Sequence, residues 1–104
     1  MFITFMQNNS GGYLIQNEDV DAFVIIEGES LEYILNKANN VFKPYRRYCE
    51  CCGERWDDDF KNEDDLDKKP MIFDELVYNV TDTYYKGNKA IIYKIDGTKE
   101  IVEI

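Results

Sequence analysis

Residues 22–42, Ala22-Phe23-Val24-Ile25-Ile26-Glu27-Gly28-Glu29-Ser30-Leu31-Glu32-Tyr33-Ile34-Leu35-Asn36-Lys37-Ala38-Asn39-Asn40-Val41-Phe42, decide the fold. Ala22 to Ile26 is an unbroken apolar, β-branched and aromatic run. Such a run suits a central strand buried on both faces, because a strand with one wet face alternates instead. Gly28 then punctuates the chain. The Ser30 hydroxyl can accept a hydrogen bond from a free N–H of a first helical turn, and Glu32 sets negative charge near the positive helix end. Leu31, Ile34, Leu35, Ala38, Val41 and Phe42 follow helical spacing and make one apolar stripe. Pro44 stops the helix. A single amphipathic helix needs a sheet to cover, so the stretch predicts a strand followed by the helix that packs on its sheet.

The flanks supply the rest of that sheet. Residues 2–6 and 12–16 are apolar-rich and flank Gln7-Asn8-Asn9-Ser10-Gly11-Gly12, whose Asn and Gly residues tolerate positive φ, so they read as a hairpin. Met71-Ile72-Phe73, Leu76 to Val80 and Thr83 to Lys86 read as strand material. Ala90 to Ile95, a turn at Asp96-Gly97 and Lys99 to Ile104 give the clearest β signal. The expected fold is α+β. A mainly antiparallel sheet of five to seven strands packs against one main helix at about 30–42, in a single domain spanning 1–104. No internal repeat is visible.

The chain has 104 residues, 21 acidic against 12 basic, for a formal charge of −9. One domain and one core fit that length. The acid excess argues against binding a nucleic-acid backbone, which relies on Lys and Arg displacing counterions. Residues 57–67 hold seven acids and one lysine, and the segment at about 57–69 reads as a solvated acidic loop. No apolar run is long enough to span a membrane, and the apolar start at Met1 to Met6 lacks the features of a signal peptide. Three cysteines within four positions do not make a secreted disulfide framework, so a reducing cytoplasm is expected. Exposed sheet edges in so small a domain are compatible with a homo-oligomer.

Histidine is absent, which excludes nucleophile–histidine pairs and histidine metal sites. No phosphate-cradling glycine loop is present. An enzyme is not expected, and no cofactor is required. Cys49, Cys51 and Cys52 are zinc candidates, but structural zinc wants four ligands, commonly as two short pairs. Here there is one cluster, which Glu54, Asp57 or a second chain would have to complete. The alternative is that one or two of these thiols are buried as small apolar side chains. The three arginines, Arg46, Arg47 and Arg55, lie within ten residues of an otherwise acidic chain. With Trp56 they could present planar cations and a flat ring to a nucleotide-like ligand, and Asn9, Gly11 and Gly12 could add backbone donors. The structural alternative pairs an arginine with the acidic loop while Trp56, the one tryptophan, fills the core.

Asn9-Ser10-Gly11-Gly12, Val24-Ile25-Ile26-Glu27 and Cys51-Cys52-Gly53-Glu54-Arg55-Trp56 occur in that order, with Pro70 before a short strand. This pattern resembles a family of small uncharacterised tailed-bacteriophage proteins with Asn-Ser-Gly-Gly, Val-Ile-Ile-Glu and Cys-Cys-Gly-Asp/Glu-Arg-Trp motifs. The resemblance implies a phage accessory protein in the cytoplasm of the infected bacterial host. By analogy with that setting, the expected function is non-enzymatic, an anti-defence factor that sequesters a nucleotide-like signal. The rival expectations are an acidic interaction protein that blocks a host protein, and a zinc-stabilised structural module.

Overall fold

In the computed structural model, which describes residues 1–8, 14–45, 48–49, 53–54, 56, 62–80 and 87–104, the central run forms the strand and helix that its sequence predicts. Strand β1 spans Phe2–Met6 and β2 spans Phe23–Glu27. Helix α1, Leu31–Phe42, follows at once. Two short ladders come next, β3 at Tyr48–Cys49 with β4 at Gly53–Glu54, and β5 at Met71–Ile72 with β6 at Glu75–Leu76. Strands β7, Lys89–Tyr93, and β8, Lys99–Glu103, close the chain. The class is α+β, with one main helix and a four-stranded mixed sheet in the order β1-β2-β7-β8.

The helix starts as its sequence demands. The Ser30 Oγ accepts a hydrogen bond from the Tyr33 N–H at 3.1 Å, while Ser30 itself is extended. Ile34, Ala38 and Phe42 form the buried stripe. Gly28 is needed where the chain turns from β2 into the helix. A Cβ there would lie 2.4 Å from a Tyr33 ring carbon and 2.7 Å from Cγ1 of the fully buried Ile34. Pro44 sits in a 3-10 turn, Lys43–Tyr45, that carries the chain off the helix end.

Two expectations are corrected. Among the described residues the main sheet has four strands against the expected five to seven, and its central pair, β2 with β7, is parallel; Thr83 to Lys86, read as strand material, lies outside the described residues. A parallel pair needs a long crossover, here the whole stretch between Glu27 and Lys89, and it buries both faces of β2. The hairpin between residues 2–6 and 12–16 also does not form as expected. Strand β1 pairs antiparallel with β2, Phe5 opposite Val24, and residues 14–16 are not in a strand. The side chain of Gln7, 6% exposed, takes the place of a strand partner for that segment. Its Nε2 donates to the carbonyls of Ile15 and Asp21 at 3.0 and 2.9 Å, and its Oε1 accepts from the Ile15 N–H at 2.7 Å. The Asp21 side chain, 2% exposed, accepts from the N–H groups of Ala22 and Lys89, tying the start of β2 to the start of β7.

The sheet separates two apolar layers. On the helix side, Ile3, Phe5, Val24 and Ile26 pack with Ile34, Ala38, Phe42 and Trp56. On the other side, Phe23, Ile25, Ala90 and Ile92 meet Ile72 and Val77, from β5 and the 3-10 turn Val77–Asn79. No helix among the described residues is long and apolar enough to cross a membrane.

Candidate functional site

Among the described residues the second layer is thin, and a cavity opens in it. The β5–β6 ladder is closed by Phe73 and Asp74, whose φ angles are +48° and +69°. A two-residue hairpin loop with both φ values positive matches the twist of the flanking strands, but it favours Asn and Gly. Asp tolerates this region, whereas an aromatic residue there is strained. The strain comes with a position: Phe73 stands 62% exposed, with its ring edge-on to Phe23 at 6.1 Å between centroids.

Behind Phe73 lies a cavity of about 270 Å³. Thr4, Met6, Phe23, Met71, Ile72 and Phe73 give it an apolar lining, and Asp65, Asp67 and Asp74 contribute carboxyl groups. Its position depends on how the acidic segment is held. Asn62 opens a 3-10 turn, Glu63–Asp65, with reciprocal capping between Asn62 and Asp65. Asp67 then exchanges two backbone hydrogen bonds with Phe2, at 2.7 and 2.8 Å. The Thr4 hydroxyl donates to the Met71 carbonyl. Asp67 is thereby docked on the outer edge of β1, while the side chains of residues 62–65 and of Asp67 stay exposed; residues 57–61 of the acidic segment lie outside the described residues.

The site's electrostatics carry one clear mark. The Asp67 carboxyl is pushed above the ordinary aspartate range, first by burial and then by the negative charge of Asp74. A cation entering the cavity would relieve both carboxylates at once. The apolar lining suits the methylene stem of a long basic side chain whose head stays among the acids.

Of the residues singled out in the sequence, Trp56 is the one whose side chain is described. It is 1% exposed and stacked on Phe42, with centroids 4.2 Å apart and planes 8° from parallel. Its backbone bridges to Gln7. Its ring thus offers no open face to a ligand, and its position matches the core alternative. Its buried Nε1 has no hydrogen-bond partner among the described residues. Asn9, Gly11, Gly12, Arg46, Arg47, Arg55, Cys51, Cys52 and Asp57 lie outside the described residues. Cys49 lies in β3 opposite Gly53, and Tyr48 lies opposite Glu54. Among the described residues, no group of three or more cysteines, aspartates and glutamates is arranged to hold a metal ion.

Sequence reasoning missed Phe73, Asp67 and Asp74. Phe-Asp is not a turn signal, and the pairing of Phe2 with Asp67 is a long-range contact that local patterns do not show. It also missed a polar cluster on the helix side. The Tyr45 hydroxyl donates to Asp19 Oδ2 at 2.8 Å, and the Tyr93 hydroxyl donates to the Asp19 carbonyl at 2.6 Å. Lys99 Nζ donates to the Glu18 carbonyl at 2.6 Å and lies 3.4 Å from Asp19 Oδ1. Burial, followed by the charge of Asp19, pushes the Tyr93 hydroxyl up to about 12, so it remains a donor at neutral pH. This cluster anchors the turn at residues 17–20.

Residues 1–103 match the model of one protein family, described as Domain of unknown function (DUF7296). No curated protein and no solved structure matches the chain.

Proposed function

The chain belongs to the DUF7296 family, and we propose that it is a non-catalytic binding protein that captures a basic side chain of a protein partner in the cavity behind Phe73. The observation that carries this reading is the cavity itself: three aspartates around an apolar pit, one of them held above its ordinary protonation range. Perturbed carboxyls in a concave site are a recurring mark of function. A volume of about 270 Å³ lies just below the usual range for small-molecule pockets and fits one side chain better than a whole ligand. The partner would be a host protein in the cytoplasm of an infected bacterium, with the chain acting as a phage accessory factor that blocks it. Lack of histidine and of a nucleophile–base pair among the sequence features supports a role without catalysis.

Titration calorimetry with short lysine- and arginine-containing peptides tests this reading. Asp67→Asn combined with Asp74→Asn should weaken binding at least about tenfold, since charge-assisted contacts are the strong ones. An acetylated-lysine peptide should not bind. Equal affinity for the charged and neutral peptides would sink the proposal.

One observation favours a second reading, capture of an anionic nucleotide-like signal. The β3–β4 ladder pairs Tyr48 with Glu54, and the sequence places Arg47 just before the first and Arg55 just after the second. Two arginines eight residues apart in the sequence thus adjoin, as chain neighbours, the two residues of one rung. Calorimetry against cyclic nucleotides and ADP-ribose-type compounds, with Arg55→Ala as control, tests it. A null result with each compound would remove it.

A further inference from the structure

The two edges of the main sheet differ. The outer edge of β1 is occupied by Phe2–Asp67, Gln7–Trp56 and Thr4–Met71 contacts. On β8, by contrast, no backbone pairs with the outer edge among the described residues. We infer that this edge pairs antiparallel with β8 of a second copy of the chain, Ile101 opposite Ile101, to make one continuous eight-stranded sheet.

The hydrogen-bond phase of β8 leads to this register. Lys94 N–H donates to the Thr98 carbonyl at 2.9 Å, and Ile104 N–H donates to the Asn88 carbonyl at 3.0 Å. In an antiparallel ladder every second pair exchanges hydrogen bonds. With Ile92 opposite Glu100 and Ala90 opposite Val102, these are the pairs that bond to β7. The N–H and carbonyl groups of Lys99, Ile101 and Glu103 therefore point outward. A two-fold axis at Ile101 pairs all three residues at once: Ile101 with its copy, and Lys99 with Glu103 on each side. The side chains agree with the backbone. Ile101 is 48% exposed at the centre, where an apolar pair would cover it. The flanking rungs bring opposite charges together twice. Lys99 has three N–H donors, and two are directed at Glu18 and Asp19, leaving one for Glu103 of the second copy. Shifting the register by one residue breaks this match, since the outward N–H groups then meet side-turned backbone. A five-residue edge buries less than a standard interface, so the dimer dissociates on dilution.

Sedimentation velocity of the full chain over a range of concentrations reads the equilibrium. A monomer–dimer transition is expected, with amide exchange at Lys99, Ile101 and Glu103 slowing as the dimer forms. Ile101→Glu places two like charges on the axis and should weaken the dimer at least about tenfold, with unchanged thermal melting of the monomer. Lys99→Glu and Glu103→Lys should each weaken self-association as well. Mixing these two variants restores opposite charges on both flanking rungs, so the mixture should dimerise where neither variant does. A chain that stays monomeric throughout overturns the inference. So does a dimer indifferent to Ile101→Glu, or a mixture that fails to recover.

Discussion

The two faces of the sheet are built from the same kinds of residues but covered to different depths. On one face α1 lays Ile34, Ala38 and Phe42 over Ile3, Phe5, Val24 and Ile26, and Trp56 closes the remaining gap. On the other, among the described residues, Ile72 of a short ladder and Val77 of a 3-10 turn are the buried side chains that meet Phe23, Ile25 and Ile92, with Leu14 and Val80 partly buried beside them, and Phe73 and Tyr78 are more than half exposed. A helix brings a continuous stripe to a sheet, whereas a two-residue ladder brings isolated side chains. The closed face can therefore hold the fold while the thin face keeps a cavity, and substitutions that separate stability from binding should sort by face.

The largest break is expected on the closed face. Trp56→Ala removes a fully buried ring from its stack on Phe42 and should cost about 3–5 kcal/mol in urea denaturation. Peptide binding by the remaining folded fraction should be unchanged, because the cavity lies across the sheet. A loss below about 1 kcal/mol would mean that Trp56 is not part of the closed layer.

Gly28→Ala probes how tightly the helix is seated. Its Cβ would push against Ile34, which is fully buried and has nowhere to go, so overpacking should cost about 1–3 kcal/mol. An unchanged melting temperature would show that the helix can shift on the sheet.

Phe73→Asn acts on the thin face, where two effects oppose. Relief of positive φ at Phe73 favours the variant by about 1–3 kcal/mol, and loss of the edge-on contact with Phe23 costs about 0.5–1.5 kcal/mol. The net change in stability should stay small and favourable, while peptide affinity falls because the cavity loses a wall. Destabilisation together with full affinity would show that Phe73 holds the fold and takes no part in the site.

The same contrast explains what could be read in advance. The closed face is encoded locally: the run Ala22–Ile26, the Ser30 cap and the stripe ending at Phe42 are each contained in a few consecutive residues. Asp96-Gly97 likewise marks the last hairpin, where Gly97 takes φ +90° and Asp96 accepts hydrogen bonds from Thr98. The thin face depends on meetings between distant residues, Phe2 with Asp67 and Thr4 with Met71, for which the sequence carries no periodic signal. The parallel pairing of β2 with β7 was hidden for the same reason. In the acidic segment charge density predicts solvation, and residues 62–65 and 67 are exposed, but charge says nothing of the two backbone hydrogen bonds by which Asp67 docks on Phe2 of β1.

Asp67→Asn should have the smallest effect on stability and the most specific effect on function. Burial and Asp74 raise the Asp67 carboxyl in the folded chain above its unfolded value. The folded state therefore binds its proton more readily, and ionising this group opposes folding as pH rises through the raised folded value. Removing the charge should stabilise the protein at neutral pH by no more than about 1 kcal/mol, since Asp67 is largely in contact with water. That gain should disappear as pH falls below the ordinary aspartate range, where the carboxyl is neutral in both states. Binding of a basic peptide should follow the opposite course, weakening in the parent chain as Asp67 takes up its proton, and weak at every pH in the variant. A variant that is less stable at neutral pH, or that binds as the parent does, would show that Asp67 is a structural residue and would remove the distinction between a face that folds and a face that binds.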